Sequence, residues 1–63
     1  MPITLPEMHS LLVRVVYPAT RDEIAAALAR DGAPEEAIAR VRTLPPHRYG
    51  STDTVMEALR GLD

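Results

Sequence analysis

The chain has 63 residues, of which 46% are hydrophobic, and it carries a formal net charge of −2. This length allows one domain, and the hydrophobic content excludes a disordered chain. The absence of Cys excludes disulfides and thiolate metal sites, and the acidic balance speaks against nonspecific binding to nucleic acid or to a membrane surface. We therefore expect a single small helical domain over residues 1–63.

The core of this domain is expected to be small and aliphatic, because Phe and Trp are absent and nine of the hydrophobic residues are Ala. Burial returns about 25 cal/mol per Å² of apolar surface, while ordering a residue costs about 1.5 kcal/mol. For a chain of this size, the total free energy gained by burial nearly cancels the total cost of ordering the residues, so small domains often gain stability by association. The composition therefore favours a protein partner or a homodimer.

The first predicted helix begins at Thr4, which forms the capping-box pattern with Glu7. Hydrophobic residues then recur at helical spacing at Met8, Leu11, Leu12 and Val15. Pro18 excludes the helical conformation at Tyr17, so the helix is expected to end there. The β-branched residues of segment 13–17 leave an extended conformation open for its last part.

The second predicted helix begins at Thr20, whose capping-box partner is Glu23, and it ends at Gly32 in the left-handed conformation. Its buried face is Ile24, Ala27 and Leu28. The third predicted helix has Pro34 at its first helical position and stops before Pro45. Its buried face is Ala37, Ile38, Val41 and Leu44.

The last predicted helix is capped by Ser51 and ends at Gly61. Its buried face is Val55, Met56 and Leu59. Segments of this kind with short connections predict an all-α fold, a compact single-domain bundle of about four short helices. The tight turn at Gly32 predicts a helix-turn-helix-like corner between the second and third helices.

The run YPATRDEI, the turn DGA, the segment PEEAIARVRTLP and the final VMEAL together resemble a family of small bacterial domains of unknown function. The resemblance covers about residues 10–60 and implies a compact helical unit, with no reaction, ligand or catalytic residue attached. Members of that family usually carry acidic residues between Leu-Pro and the aromatic residue. Here Pro46, His47 and Arg48 stand in that loop, so the resemblance implies a different partner if the loop is functional.

Five residues form the candidate site for a partner or an anion: Arg40, Arg42, His47, Arg48 and Tyr49. Guanidinium groups bind phosphates and carboxylates, and Tyr is enriched at protein interfaces. The alternative interpretation of the basic residues is a solvated surface, with Arg40 paired to Glu36 one helical turn earlier. Nucleic-acid binding through the predicted corner and the Arg40/Arg42/Arg48 cluster is the alternative function, and the carboxylates of Glu35 and Glu36 speak against it.

No segment predicts catalysis. Glu7, His9 and Ser10 contain the groups of a hydrolase, but neighbouring positions on a helix point about 100° apart and do not converge on one atom. No cofactor motif and no metal-ligand set is present in the sequence. The start MPITLPEMHS lacks the basic region of a signal peptide, and the run LLVRVVY is too short to span a bilayer. We expect a cytoplasmic, non-enzymatic module for protein interaction or regulation, with no small-molecule substrate.

Overall fold

The computed structural model describes residues 3–62, apart from the side chain of Leu62. The elements follow in the order α1 (Leu5–Leu12), β1 (Ala19–Thr20), α2 (Arg21–Arg30), α3 (Glu35–Arg42), β2 (Arg48–Tyr49) and α4 (Thr52–Leu62). The predicted helical domain with four helices is confirmed. Residues 1, 2 and 63 of the predicted domain lie outside the described residues.

Two short strands add a feature that the sequence did not predict. β1 and β2 pair antiparallel, with Ala19 opposite Tyr49 and Thr20 opposite Arg48. Strands of two residues are too short to show the alternation of hydrophobic and polar residues by which strands are recognised. The pair joins the segment before α2 to the segment before α4.

α1 begins as predicted but ends early. The Thr4 hydroxyl accepts a hydrogen bond from the Glu7 N–H at 3.3 Å, and it donates to the Glu7 carboxylate at 3.1 Å, where the capping-box pattern predicts the Thr4 N–H as donor. The helix ends at Leu12 rather than Tyr17. β-branched residues follow Leu12, and their restricted side chains lower the propensity for further helical turns.

α2 has the predicted features at both ends. Thr20 and Glu23 form a complete capping box. Gly32 has a φ of 78°, and its N–H donates to the Ala29 carbonyl oxygen at 3.2 Å. The Ala33 N–H donates to the Leu28 carbonyl oxygen at 2.9 Å, which completes a Schellman motif. These bonds satisfy carbonyl groups that the helix leaves open and turn the chain sharply into α3.

α3 begins one residue later than predicted. Pro34 is the residue before the helix, with a ψ of 147°, and the first helical residue is Glu35. A proline in extended conformation suits this cap position because it has no N–H to satisfy. Residues 31–34 join α2 to α3, and the two helices pack against each other. This is the expected corner between the second and third helices.

α4 is capped as predicted by Ser51, whose hydroxyl accepts from the Thr54 N–H at 3.3 Å. The helix does not stop at Gly61 but continues to Leu62. Glycine inside a helix costs only about 1 kcal/mol relative to alanine, so a single glycine in the last turn does not end the helix.

The core lies where α1, α2, α3 and α4 meet, and it is aliphatic with one aromatic ring. Its buried members are Met8, Leu12, Val15, Ala19, Ile24, Ala25, Leu28, Ala37, Val41, Leu44, Tyr49, Val55, Met56 and Leu59. Three residues of the predicted buried faces, Leu11, Ala27 and Ile38, pack on this core but remain half-buried. The predicted hydrophobic faces therefore point to one shared interior.

Candidate functional site

The segment after α1 carries the large hydrophobic side chains that face solvent. Val13 is 53% exposed and Val16 is 86% exposed, and no other large hydrophobic side chain in the described part of the chain is exposed. Val15 between them is buried in the core. Directly after α1 the backbone forms a turn, in which the Val15 N–H donates to the Leu12 carbonyl oxygen at 3.1 Å. The turn thus fixes one valine inward and presents two outward.

Hydrogen bonds hold this segment in place at its far end. The Tyr17 hydroxyl donates to the Leu12 carbonyl oxygen at 3.0 Å, and the Thr52 hydroxyl lies 3.5 Å from the same oxygen. Burial raises the pKa of the half-buried Tyr17, and the hydrogen bond with Thr52 opposes this shift. The hydroxyl therefore stays a donor at neutral pH. The exposure of Val16 follows from an anchored backbone conformation, since its neighbours Val15 and Tyr17 both donate to the Leu12 carbonyl oxygen.

A groove of about 430 Å³ lies between this segment and α2. It is lined by Arg14, Val15, Val16, Pro18, Ala19, Glu23, Ala26, Ala27, Arg30 and Asp31. Three of these residues are alanines, whose side chains end at Cβ and so leave the groove hollow. We refer to Val13, Val16 and this groove together as the valine surface.

The charged residues of the valine surface are balanced. Two are cationic, Arg14 and Arg30, and two are anionic, Glu23 and Asp31. The pKa of the Glu23 carboxyl lies below its usual range, chiefly because the carboxylate accepts the Thr20 N–H at 2.8 Å. Its hydrogen bond with the Thr20 hydroxyl and the charge of Arg48 lower the pKa further. Glu23 is therefore ionised at neutral pH, and the surface combines apolar contact with charges of both signs.

The five predicted site residues lie in different environments. Arg40 is half-buried and lines a groove of about 300 Å³ with Ile3, Glu36, Ala39 and Thr43. None of the other four predicted residues lines that groove. Arg42 is exposed in the last turn of α3, and His47 and Arg48 are exposed at and beside β2.

Tyr49 is not a surface contact, which corrects the prediction for this residue. Its side chain is 3% exposed, and its hydroxyl donates to the Pro45 carbonyl oxygen at 2.7 Å. Its ring centroid lies 6.2 Å from that of His47 in an edge-on arrangement. Pairing with Ala19 turns the ring into the core, so Tyr49 closes the interior and is not available to a partner.

The residues that resemble a hydrolase are used in local hydrogen bonds. The Ser10 hydroxyl donates to the Pro6 carbonyl oxygen at 3.2 Å, and the Glu7 carboxylate accepts from the Thr4 hydroxyl. Ser10 and His9 line a groove of about 510 Å³ between α1 and α4. Within residues 3–62, no group of three or more His, Asp or Glu side chains is placed to hold a metal ion. Over the same residues, no helix has the length and apolar character needed to cross a membrane.

Sequence reasoning missed the valine surface, although a signal for it is present. Met8, Leu12 and Val15 follow each other at spacings of four and three, which defines the buried face of the first segment. Val13 and Val16 lie off that face and are therefore expected outside the core. The sequence does not decide their exposure, because the β-branched residues leave the segment open between a helix and an extended conformation, which point these side chains in different directions.

Comparison with known proteins supports the resemblance at the level of the family. The family model described as "Protein of unknown function (DUF2795)" matches residues 6–56, from the first turn of α1 to the middle of α4. No curated protein and no solved structure matches the chain. The finer residue pattern and the bacterial origin stay predictions. Because the matched residues make up most of the chain, the chain belongs to the family described as "Protein of unknown function (DUF2795)".

Proposed function

We propose that the chain is a non-catalytic protein-binding module whose contact site is the valine surface. The observation that carries this proposal is Val16, which is 86% exposed although the core of so small a domain has few large side chains to spare. Burying an exposed valine at an interface gains about 1.5–3 kcal/mol. The anchored conformation supports the same proposal, because a fixed surface loses little conformational entropy on binding.

The absence of activity is part of the proposal. The groove at the valine surface contains two carboxylates and two guanidinium groups but no Ser, Thr, His or Tyr side chain to act as a nucleophile or a neutral proton donor. Ser10 and His9 lie at a different groove, between α1 and α4. The valine surface is suited to contact with another polypeptide, where apolar side chains provide affinity and the charges around them provide specificity.

A photo-cross-linking experiment tests the proposal. A diazirine side chain is placed at position 16, and a control chain carries it at position 57, where Glu57 is exposed on α4. Irradiation in the native cells should give discrete protein adducts from position 16 and none from position 57. The same adducts from both positions, or none from either, would contradict a docking role for the valine surface.

A nucleic-acid assay tests the competing class. A random DNA duplex at low salt should keep its gel mobility when the chain is added. Binding that falls steeply with salt and is lost in Arg40→Ala or Arg48→Ala would replace the proposed function with nucleic-acid binding. Because both residues lie outside the valine surface, these variants should leave the position-16 adducts unchanged.

A further inference from the structure

We infer that the valine surface binds a second copy of this chain across a two-fold axis. The inference rests on the proposed function and names the partner. In a two-fold interface the same patch meets itself, so the patch has to be its own complement in shape and in charge. The valine surface meets both conditions.

The first condition, complementarity of shape, concerns the protruding Val16 side chain and the groove beside it. Val16 projects into solvent and also forms one wall of the groove. Ala26 and Ala27 on α2 also line the groove, and their small side chains leave space in it. A two-fold axis therefore lets Val16 of each copy enter the groove of the other, and this exchange buries the Val16 side chains of both copies.

Charge complementarity follows from the balanced set around the groove. Arg14 and Arg30 carry two positive charges, and Glu23 and Asp31 carry two negative charges. A strongly acidic or strongly basic partner would meet like charges on part of this surface, and like charges in contact oppose association. A second copy brings the same balanced set, so it offers two carboxylates for the two guanidinium groups and carries no excess charge of either sign.

The size of the surface sets the strength of this association. A stable interface buries about 800 Å² on each partner. The accessible surface of the whole chain is 4083 Å², so such an interface would take about a fifth of it. Since the valine surface consists of one groove and two exposed valines, we expect a smaller interface, of the class of weak, reversible contacts. We therefore expect a monomer–dimer equilibrium that is visible only at high concentration.

Sedimentation equilibrium of the purified full chain, from about 10 μM to about 1 mM, tests the inference. The wild-type chain should shift from monomer to dimer across this range. Val16→Asp should weaken association by about tenfold or more, because a carboxylate would be buried in the groove. Val16 is so exposed that this variant should keep the helical circular dichroism spectrum of the wild type. The matched control Glu57→Asp lies on α4 and should dimerise like the wild type.

Variants that change the charge of the groove make the test specific for a second copy of the chain. Arg14→Glu with Arg30→Glu makes the groove acidic, and Asp31→Arg with Glu23→Gln makes it basic while the amide keeps the cap of α2. Each double variant alone should be monomeric, and an equimolar mixture should form a heterodimer visible by native mass spectrometry. A mixture that stays monomeric while the wild type dimerises would place the dimer contact elsewhere and overturn the inference.

A monomeric wild-type chain up to the highest concentration would also overturn the inference. The position-16 cross-link separates this failure from failure of the proposed function. Adducts of position 16 with a different protein, together with a monomeric chain, contradict the second copy and leave a protein-binding module. The absence of any adduct together with a monomer contradicts both.

Discussion

The guanidinium group of Arg21 donates from Nη1 to the carbonyl oxygen of Leu44 at 3.1 Å. This bond joins the first residue of α2 to the chain just beyond α3. The backbone N–H of Arg21 also donates to the His47 carbonyl oxygen at 3.2 Å. One residue therefore holds both ends of segment 44–47, which carries no regular secondary structure of its own. This attachment positions Tyr49 for its pairing with Ala19.

Replacing this arginine tests the attachment. Arg21→Met keeps most of the aliphatic stem but removes the donor, leaving the Leu44 carbonyl oxygen without its charged partner. Hydrogen bonds to charged groups contribute about 1.5–3 kcal/mol, and partial exposure of this side chain lowers the figure, so we expect a loss of about 1–2 kcal/mol in the free energy of unfolding. Urea unfolding measures it. Arg42→Met, at an exposed position on α3, should change stability by less than about 0.5 kcal/mol.

The buried faces are tested by the same substitution at two valines. Val41 is fully buried and Val16 is 86% exposed, so alanine at each position removes the same atoms from opposite environments. Val41→Ala should cost roughly 2 kcal/mol and Leu28→Ala roughly 2–4 kcal/mol, because each leaves a cavity in the core. Val16→Ala should shift the thermal midpoint of a dilute sample by little. Equal shifts for the two valines would show that the core is misassigned.

The turn at Gly32 is tested by an alanine scan of two glycines. Gly32 has a φ of 78°, and an added Cβ would meet nothing within 4 Å, so the expected penalty is purely conformational. Gly32→Ala should destabilise by about 1–2 kcal/mol. Gly61→Ala replaces glycine inside α4 and should leave stability unchanged or raise it by up to about 1 kcal/mol. Chemical denaturation of both variants gives the sign of each change in the free energy of unfolding. A Gly32→Ala variant that is more stable than the wild type would exclude the left-handed turn.

The helices were predictable because local signals near their ends agree with the hydrophobic spacing inside them. The pairs Thr20 with Glu23 and Ser51 with Thr54 act within three residues, so sequence alone reveals them. The end of α1 was not predictable to the same degree. Besides the β-branched residues after Leu12, it depends on the hydrogen bond from the Tyr17 hydroxyl to the Leu12 carbonyl oxygen and on the packing of Val15 in the core, which the sequence pattern does not reveal.

The candidate site was the least predictable feature, because it depends on the direction of side chains outside the helices. The basic residues share the chemistry of an anion site, but the fold places Arg40 in a groove that none of the others lines. The sequence places Tyr49 in the candidate site, since the pairing that buries it joins positions 30 residues apart. The valine surface combines two segments, and only their packing brings Val16 beside α2.

Stability should depend on pH in the acid range through Glu23. Its pKa in the folded chain lies below the usual range because its carboxylate accepts hydrogen bonds from Thr20, whereas in the unfolded chain the carboxyl titrates normally. In acid the unfolded state then binds more protons than the folded state, so stability rises with pH there. The contribution is fully present above the ordinary carboxyl pKa and is lost as the pH falls through the lowered folded-state pKa.

Glu23→Gln isolates this contribution, because the amide still accepts the Thr20 N–H but carries no charge to titrate. Urea unfolding from pH 7 down to about pH 3 should show the wild type more stable at neutral pH and the two curves converging as the pH falls. Glu57→Gln, at an exposed position on α4, should lose stability with falling pH as the wild type does. A constant difference between wild type and Glu23→Gln across this range would show that the capping carboxylate is not held in its charged form by the fold.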